Sequence, residues 1–320
     1  MNTKSRKKYS LVNFMGILAS IAYGFFVVAS LQRLYSSGSG DIAALLDFFD
    51  NIDIFVLSNN YNVFSWDGLF RLLVVFLGNF FQTEYVNVLS GIAFVTSTIS
   101  FRIITANIKS SNDLIHLLPL LVMVFFSPNV VNLYASGVRS GIAFTILLFA
   151  ILQHSILMKY FLFGLSSLVH LSMAPIISLY LLFRVLRHRR INASSLLCYF
   201  MLITLSSSLA IFAYIYQYNV TPVSSSFYFN VLIFCLALLI VLSSKKSIKN
   251  IYGFISIGLI VIVVIGNFLD ISFSRYVGNA LILYLFFLIK EPNVYVIRVF
   301  SLGYAPFFIL TMFYSIANQL

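Results

Sequence analysis

Charge is what this sequence has least of. Only 9% of its 320 residues are Asp, Glu, Lys or Arg, where a water-soluble domain carries ~25%. That shortfall excludes a soluble enzyme. A 61% hydrophobic composition excludes a disordered chain, which stays unfolded only when hydrophobicity is low. Cysteine is nearly absent. Cys198 and Cys235 are the two present; both lie in apolar stretches, which excludes a disulfide scaffold and reads as packing. No CxxC and no Cys/His cluster occurs, so no metal site is expected. No internal repeat is visible, which speaks against a transporter built from inverted repeats.

What is present is hydrophobicity in long runs, with a mean hydropathy of +0.99. A helix needs ~20 apolar residues to span the hydrocarbon core of a bilayer. Leu11–Leu31, Tyr85–Thr105, Leu114–Phe126, Ser140–Leu157, Tyr160–Phe183, Ser195–Tyr216, Phe227–Leu242, Ile251–Leu269, Tyr276–Ile289 and Val294–Ile316 are the candidates. Gly68–Phe81 is apolar but short, and reads as a tilted span or a re-entrant half-helix. The expected fold class is an all-α polytopic integral membrane protein. It would form one membrane domain over residues 1–320, with ten or eleven transmembrane segments, one or two of them re-entrant. Leu11–Leu31 is long for a cleaved signal core and reads as a retained first span.

The net charge of +11 has an address. Lys4, Arg6, Lys7 and Lys8 form one cluster, Arg184, Arg187, Arg189 and Arg190 a second, and Lys245, Lys246 and Lys249 a third. Their number equals the whole excess of Lys+Arg over Asp+Glu, and each cluster flanks an apolar run. Such clusters mark the cytoplasmic side. The excess therefore reports orientation, and no nucleic-acid partner is expected. The N-terminus reads as cytoplasmic and the C-terminus as extracytoplasmic. Upstream of Arg184 two arrangements satisfy parity. If Gly68–Phe81 crosses, Lys109 and Lys159 lie outside and Arg139 inside. If it only dips in, Lys109 and Lys159 lie inside and Arg139 outside. Tyr160–Phe183 must then fold back without crossing, at His170 or Pro175.

Arg33 to Asp67 is the longest non-spanning stretch. It holds Asp41, Asp47, Asp50, Asp53 and Asp67, five of the nine acids, and fits an extracytoplasmic loop at residues 33–67. Within it, Ile42–Leu57 mixes apolar residues with acids three apart. That spacing places them near one helix face, as in an amphipathic helix lying on a membrane surface. A solvated face explains these acids more simply than a metal site.

In such a chain, charges away from the clusters carry the information. One placed in a membrane segment costs roughly 2.5–3.5 kcal/mol on insertion scales and is usually kept for a site or a partner. Arg71, Arg102, Arg139, Arg275, Arg298, Asp67, Glu84 and Asp270 are such residues, with His116 and His170 as polar companions. Asp67 and Arg71 are four apart and share a helix face; they form a local ion pair, or Arg71 lines an outward cavity. Arg139 lies among small residues in Tyr134-Ala-Ser-Gly-Val-Arg-Ser-Gly-Ile-Ala143, and is a snorkelling arginine or a ligand group. Arg275 stands on the outer side against the positive-inside trend. His170 lies between serines and Pro175, which marks a polar, broken helix. Outward arginines inside a membrane bundle suit a phosphorylated lipid, since the planar guanidinium grips phosphate oxygens in two places. With pyrophosphate as leaving group, the same cations stabilise the charge that develops.

At these residues the chain resembles the EpsG-like and Wzy-type polymerases of bacterial surface polysaccharides. The similar elements run in the family's order: Arg33 followed by Gly38-Ser-Gly-Asp41, then Asp67-Gly-Leu-Phe70, Val138-Arg-Ser-Gly-Ile-Ala143, His170-Leu-Ser-Met173, and Arg275-Tyr276. Three elements depart from the family's pattern: Asp67-Gly replaces the commoner Glu-Pro, Ser140 stands where Gln is usual, and Met173 where Ala is.

The resemblance implies a glycosyltransferase on the outer face of the cytoplasmic membrane. It would join oligosaccharide repeat units carried on undecaprenyl pyrophosphate. A sugar hydroxyl attacks the anomeric carbon of the growing chain and lipid pyrophosphate leaves, so no nucleotide or other cofactor is needed. Membrane lipids, a flippase and a chain-length regulator are the implied partners. Arg139, Arg275 and Arg71 would bind pyrophosphate. His170, Asp67 or Asp41 would take the acceptor proton, because hydroxyl attack gains from a positioned base. Arg33, Glu84 and Tyr276 would contact substrate. A lipid-linked oligosaccharide flippase or transporter, and a membrane O-acyltransferase using a membrane histidine, are the alternatives.

Overall fold

A computed structural model of the chain describes residues 3–38, 41–50, 68–108, 110–188, 235–236, 239–240, 249–268 and 274–317. Ser195–Tyr216, most of Phe227–Leu242, the Gln217–Ser226 loop, Asp67, Asp270, Lys245 and Lys246 lie outside the described residues. Among those described there is no strand, so the all-α class stands. Three helices are long and apolar enough to cross a membrane: Asn13–Ser36, Tyr85–Ala106 and Val294–Phe313. A fourth crossing results if the bent pair Asn112–Phe125 and Pro128–Ala135 counts as one span. The remaining apolar helices are shorter than the expected spans.

The chain folds as two compact units that alternate along the sequence. The first holds Met1–Ala106 and Val131–Met173, the second Asn107–Val130 and Ala174–Leu320.

In the first unit, α1 (Thr3–Ser36) packs along α4 (Tyr85–Ala106). Two polar contacts fix their direction. Gln32 Nε2 donates to Ser90 Oγ at 2.9 Å near one end, and an Arg102 guanidinium nitrogen donates to Asn13 Oδ1 near the other. The helices are therefore antiparallel. Gly38, at φ +62°, ends the turn after α1, a left-handed conformation that glycine adopts without strain. Next come α2 (Asp41–Asp50) and α3 (Gly68–Phe81). The amphipathic segment expected at Ile42–Leu57 is helical from Asp41 to Asp50, with Leu45, Leu46, Phe48 and Phe49 buried and Asp47 exposed. At ~1.5 Å per residue, the 14 residues of α3 reach about 21 Å, short of a ~30 Å hydrocarbon core. A left-handed Gln82 (φ +50°) closes α3, where the Thr83 N–H donates to the Gly78 carbonyl at 3.1 Å. That bond closes a Schellman-type cap and turns the chain straight into α4.

The same unit holds α7 (Val138–Leu152) and α8 (Ile156–Val169), a hairpin joined at residues 153–155. Two expected runs end early here. Ser140–Leu157 stops being helical at Leu152, and Tyr160–Phe183 is interrupted at His170. Pro175 explains the second. It lacks an N–H, and its ring collides with the carbonyl four residues back, so a continuous helix through Leu171 is excluded. The chain extends at His170 (φ −157°, ψ 119°), makes a 3₁₀ turn over Leu171–Met173, and restarts as α9 (Ala174–His188) with Pro175 in its first turn, where proline is tolerated.

In the second unit, α9 packs on α10 (Ile251–Phe268), α10 on α11 (Ser274–Lys290), and α5 (Ser111–Phe125) on both α11 and α12 (Val294–Ala317). From Ala280 to Ile289 α11 is hydrophobic at every position, and every residue in that stretch is buried. Gly278 lets it approach α6 (Pro128–Ala135): a Cβ there would lie 2.6 Å from the Asn129 carbonyl oxygen. Ser256 Oγ donates to the Ala280 carbonyl at 2.8 Å, tying α10 to α11. Lys290 Nζ donates to Asn107 Oδ1 at 2.6 Å.

Candidate functional site

The sequence-predicted residues divide between the two units. Arg33, Asp41, Arg71, Glu84, Arg139 and His170 belong to the first. Arg275 and Tyr276 belong to the second, at the start of α11, where Tyr276 is buried. Asp67 lies outside the described residues, so its pairing with Arg71 does too.

Arg33 is not in a loop. The 33–67 stretch was expected to be extracytoplasmic loop from its first residue, but α1 runs on to Ser36, and Arg33 sits exposed in its last turn. Its carbonyl accepts from the Ser37 N–H at 3.1 Å and from Ser36 Oγ at 2.8 Å. A cation there also suits the negative end of the helix dipole. Glu84 is exposed at the residue before α4, its carbonyl accepting from the N–H groups of Asn87 and Val88. The Gln32–Ser90 bond puts Arg33 and Glu84 at one end of the α1/α4 pair.

Arg71 lies at the same end. Its guanidinium carbon stands 3.9 Å from the centre of the Phe48 ring, close cation–π contact. The neighbouring Phe49 ring meets Tyr85, at the start of α4, with centroids 5.0 Å apart. Thus α2, carrying Asp41 at its first position, lies over the beginnings of both α3 and α4.

The clearest convergence is at the α7/α8 hairpin. Arg139 is the second residue of α7 and His170 the residue that ends α8. Ser166 Oγ donates to the Ala143 carbonyl at 2.7 Å, which sets the register. Ser166 is one turn before His170, and Ala143 one turn after Arg139 and Ser140. The hairpin therefore brings His170, Arg139 and Ser140 to one end. The 3₁₀ turn after His170 also packs on α7. His170 and Ser140 are each about 1% exposed, and Arg139 is half-buried. Below this end runs a satisfied polar seam: Ser100 and Thr145 share a hydrogen bond at 2.8 Å, and Thr145 also donates to the Gly141 carbonyl at 2.7 Å.

Glycine makes the elbow that presents Arg139. A Cβ on Gly141 would lie 2.8 Å from a Tyr134 ring carbon, and one on Gly137 would lie 3.2 Å from the Leu133 carbonyl oxygen. With hydrogen at both positions, α6 folds tightly back against the start of α7.

Arg139 and His170 stand out in the sequence as a charge and an imidazole; Ser140 stands out there only as a departure from Gln. The available signal was its place three residues after Gly137, in the first turn of a helix whose preceding glycine cannot cap it. Among the described residues no group of three or more His, Cys, Asp or Glu gathers to hold a metal. No family model matches the chain, and no curated protein or solved structure matches it either.

Proposed function

We propose that the chain is a polysaccharide repeat-unit polymerase of the bacterial cytoplasmic membrane. On this reading it joins oligosaccharides carried on undecaprenyl pyrophosphate at the outer face. The observation that carries the reading is the convergence of Arg139 and His170 at one end of the α7/α8 hairpin. On this reading a guanidinium that can hold a leaving diphosphate shares that end with an imidazole that can accept the proton of an attacking hydroxyl.

The antiparallel α1/α4 pair supports the sidedness this reaction needs. If α1 crosses outward and α4 returns, the segment between them adds no net crossing, which agrees with an α3 that dips in without spanning. This arrangement also requires Tyr160–Phe183 to fold back without crossing, and that run is broken at His170. Lys109 and Lys159 then face the cytoplasm, in line with the positive-inside trend, and Arg139 faces outward. Arg33, Glu84 and Arg71 share that outer end, where Glu84 and Arg33 are exposed enough to meet a sugar. On this reading Arg275 would also bind diphosphate and Tyr276 would contact substrate.

The test is deletion of the gene in its native strain, followed by gel analysis of surface glycan. Single repeat units reaching the surface without long chains would support a polymerase. Loss of all repeat units would point to a flippase, and long chains of normal length lacking acyl groups to an acyltransferase. In a complemented strain, Arg139→Ala and Arg275→Ala should each collapse the chain-length distribution at normal expression. Unchanged long chains from both variants would refute the arginine roles.

A further inference from the structure

We infer that the first turn of α7 is a diphosphate-binding site in which Ser140 is a direct ligand residue. This deepens the polymerase reading and rests on it only for the lipid end of the ligand.

Two independent observations meet at this turn. The first is the helix end itself. The opening N–H groups of an α-helix have no acceptor within the helix, and Gly137, at the N-cap, has no side chain to supply one. Among the described residues none accepts from the N–H of Val138 or Ser140, and both residues are buried. Helix N-termini of this kind gather anions, through oriented N–H donors and the positive end of the dipole. The second observation is the Ser140 hydroxyl. It is buried and has no hydrogen-bond partner, in a residue about 1% exposed. A serine in a helix can usually satisfy its hydroxyl on the carbonyl one turn back. Ser20, Ser97 and Thr145 do so here at 2.6, 2.6 and 2.7 Å. Ser140 does not.

The donors at this turn are of one sign. Backbone N–H, a hydroxyl and the Arg139 guanidinium all give hydrogen bonds, with no acid among residues 128–145 of the chain. A set of donors around a cation selects an oxyanion with several acceptor oxygens. A diphosphate fits better than a carboxylate, because its oxygens are numerous enough to reach the guanidinium and the helix end together. Its source is a lipid diphosphate headgroup or free inorganic pyrophosphate.

The experiment uses the full-length protein in phosphatidylcholine nanodiscs. Calorimetric titration with inorganic pyrophosphate is one arm, and thermal unfolding with undecaprenyl pyrophosphate in the bilayer is the other. Ser140→Ala should weaken pyrophosphate binding roughly tenfold or more, the usual loss for a hydrogen bond to a charged ligand. Without ligand it should unfold at a higher temperature than the native chain, because an unsatisfied buried hydroxyl has been removed. A purely structural serine would do the reverse. Ser136→Ala is the control, since that hydroxyl already donates to the Asn132 carbonyl at 3.1 Å; its affinity should stay within about twofold of native, the scatter expected of a neutral surface change. Should Ser140→Ala not fold, Ser140→Cys carries the same test, with similar size and a weaker donor.

Binding of both probes, each weakened by Ser140→Ala, would support the shared diphosphate chemistry. Binding of the lipid probe alone, weakened in the same way, would support the site and assign its source to the lipid. Equal affinity of native and Ser140→Ala protein, or no binding of either probe, would overturn the inference. If the site binds as expected but deletion of the gene leaves surface polymer unchanged, the site stands and the polymerase reading falls.

Discussion

Replacing Gly141 with alanine tests the elbow that presents Arg139. A Cβ there would stand 2.8 Å from Tyr134 Cδ1, 3.1 Å from the Leu133 carbonyl oxygen and 3.3 Å from Tyr134 Cα. Carbon atoms pack well at ~3.5–4.0 Å, so the Tyr134 ring must retreat by about 0.7 Å. The ring is fully buried, and two of the three contacts are backbone atoms of α6 that cannot move alone. Overpacking of this kind costs about 1–3 kcal/mol. Against it, alanine is better than glycine in a helix interior by about 1 kcal/mol. Gly141→Ala should therefore destabilise the protein by up to about 2 kcal/mol, the difference of those two effects. Gly164→Ala on α8 isolates the propensity gain, since a Cβ there would meet nothing within 4 Å. It should stabilise by up to about 1 kcal/mol. The assay is denaturant or thermal unfolding of both variants in one detergent. A Gly141→Ala protein stabilised as much as Gly164→Ala would refute the close packing of Tyr134 on α7.

Two further outcomes follow from the hairpin and the α1/α4 pair. Ser166→Ala removes a buried bond of 2.7 Å to the Ala143 carbonyl and should lower stability by about 1 kcal/mol; an unchanged unfolding midpoint would mean that this bond does not hold α8 on α7. In a cysteine-free background, single cysteines at Ser37 and Thr83 should react with an impermeant maleimide from one face of the membrane, and a cysteine at Lys8 from the other; labelling of Ser37 and Thr83 from opposite faces would contradict the antiparallel pairing.

How much was readable in advance depended on the kind of signal. Long apolar runs gave the helical class, and Tyr85–Thr105 was found within a residue of its observed end, because a single uninterrupted run needs no tertiary information. The break at His170 was readable from Pro175, a local backbone effect. Helix ends elsewhere were less so. Ser140–Leu157 looked continuous because Gln153 and His154 are isolated polar residues in an apolar background, and nothing in the pattern says that the chain must turn there. Arg33 was placed in a loop because acids crowd the stretch after it, yet helix propensity carries α1 one further turn. Direction was the largest gap. Charge counting left two arrangements for Gly68–Phe81, and the antiparallel course of α1 and α4 rests on two side-chain contacts, Gln32 with Ser90 and Arg102 with Asn13, that join residues 58 and 89 apart in the chain. No periodicity encodes such pairings.

The candidate site was half visible for the same reason. Arg139 and His170 stand out as a charge and an imidazole in apolar surroundings. Ser140 does not, because serine is unremarkable by type and informative only by what its hydroxyl lacks. The surrounding hydroxyls show that this lack is not forced by the fold. Thr96, Ser97, Ser100, Thr145 and Ser166 each find a partner within 2.9 Å. The Thr98 and Tyr134 hydroxyls also have none; Thr98 stands against Gly24 of α1, along a helix–helix seam and away from any helix end, and the Tyr134 ring stands against Gly141. At Ser140 the unmet hydroxyl coincides with uncapped N–H donors and an arginine. The unmet hydroxyl alone would cost the fold about 1–3 kcal/mol. A single multivalent anion at this turn would take up the hydroxyl and the open N–H donors at once, which is the arrangement expected of a binding site and not of a packing seam.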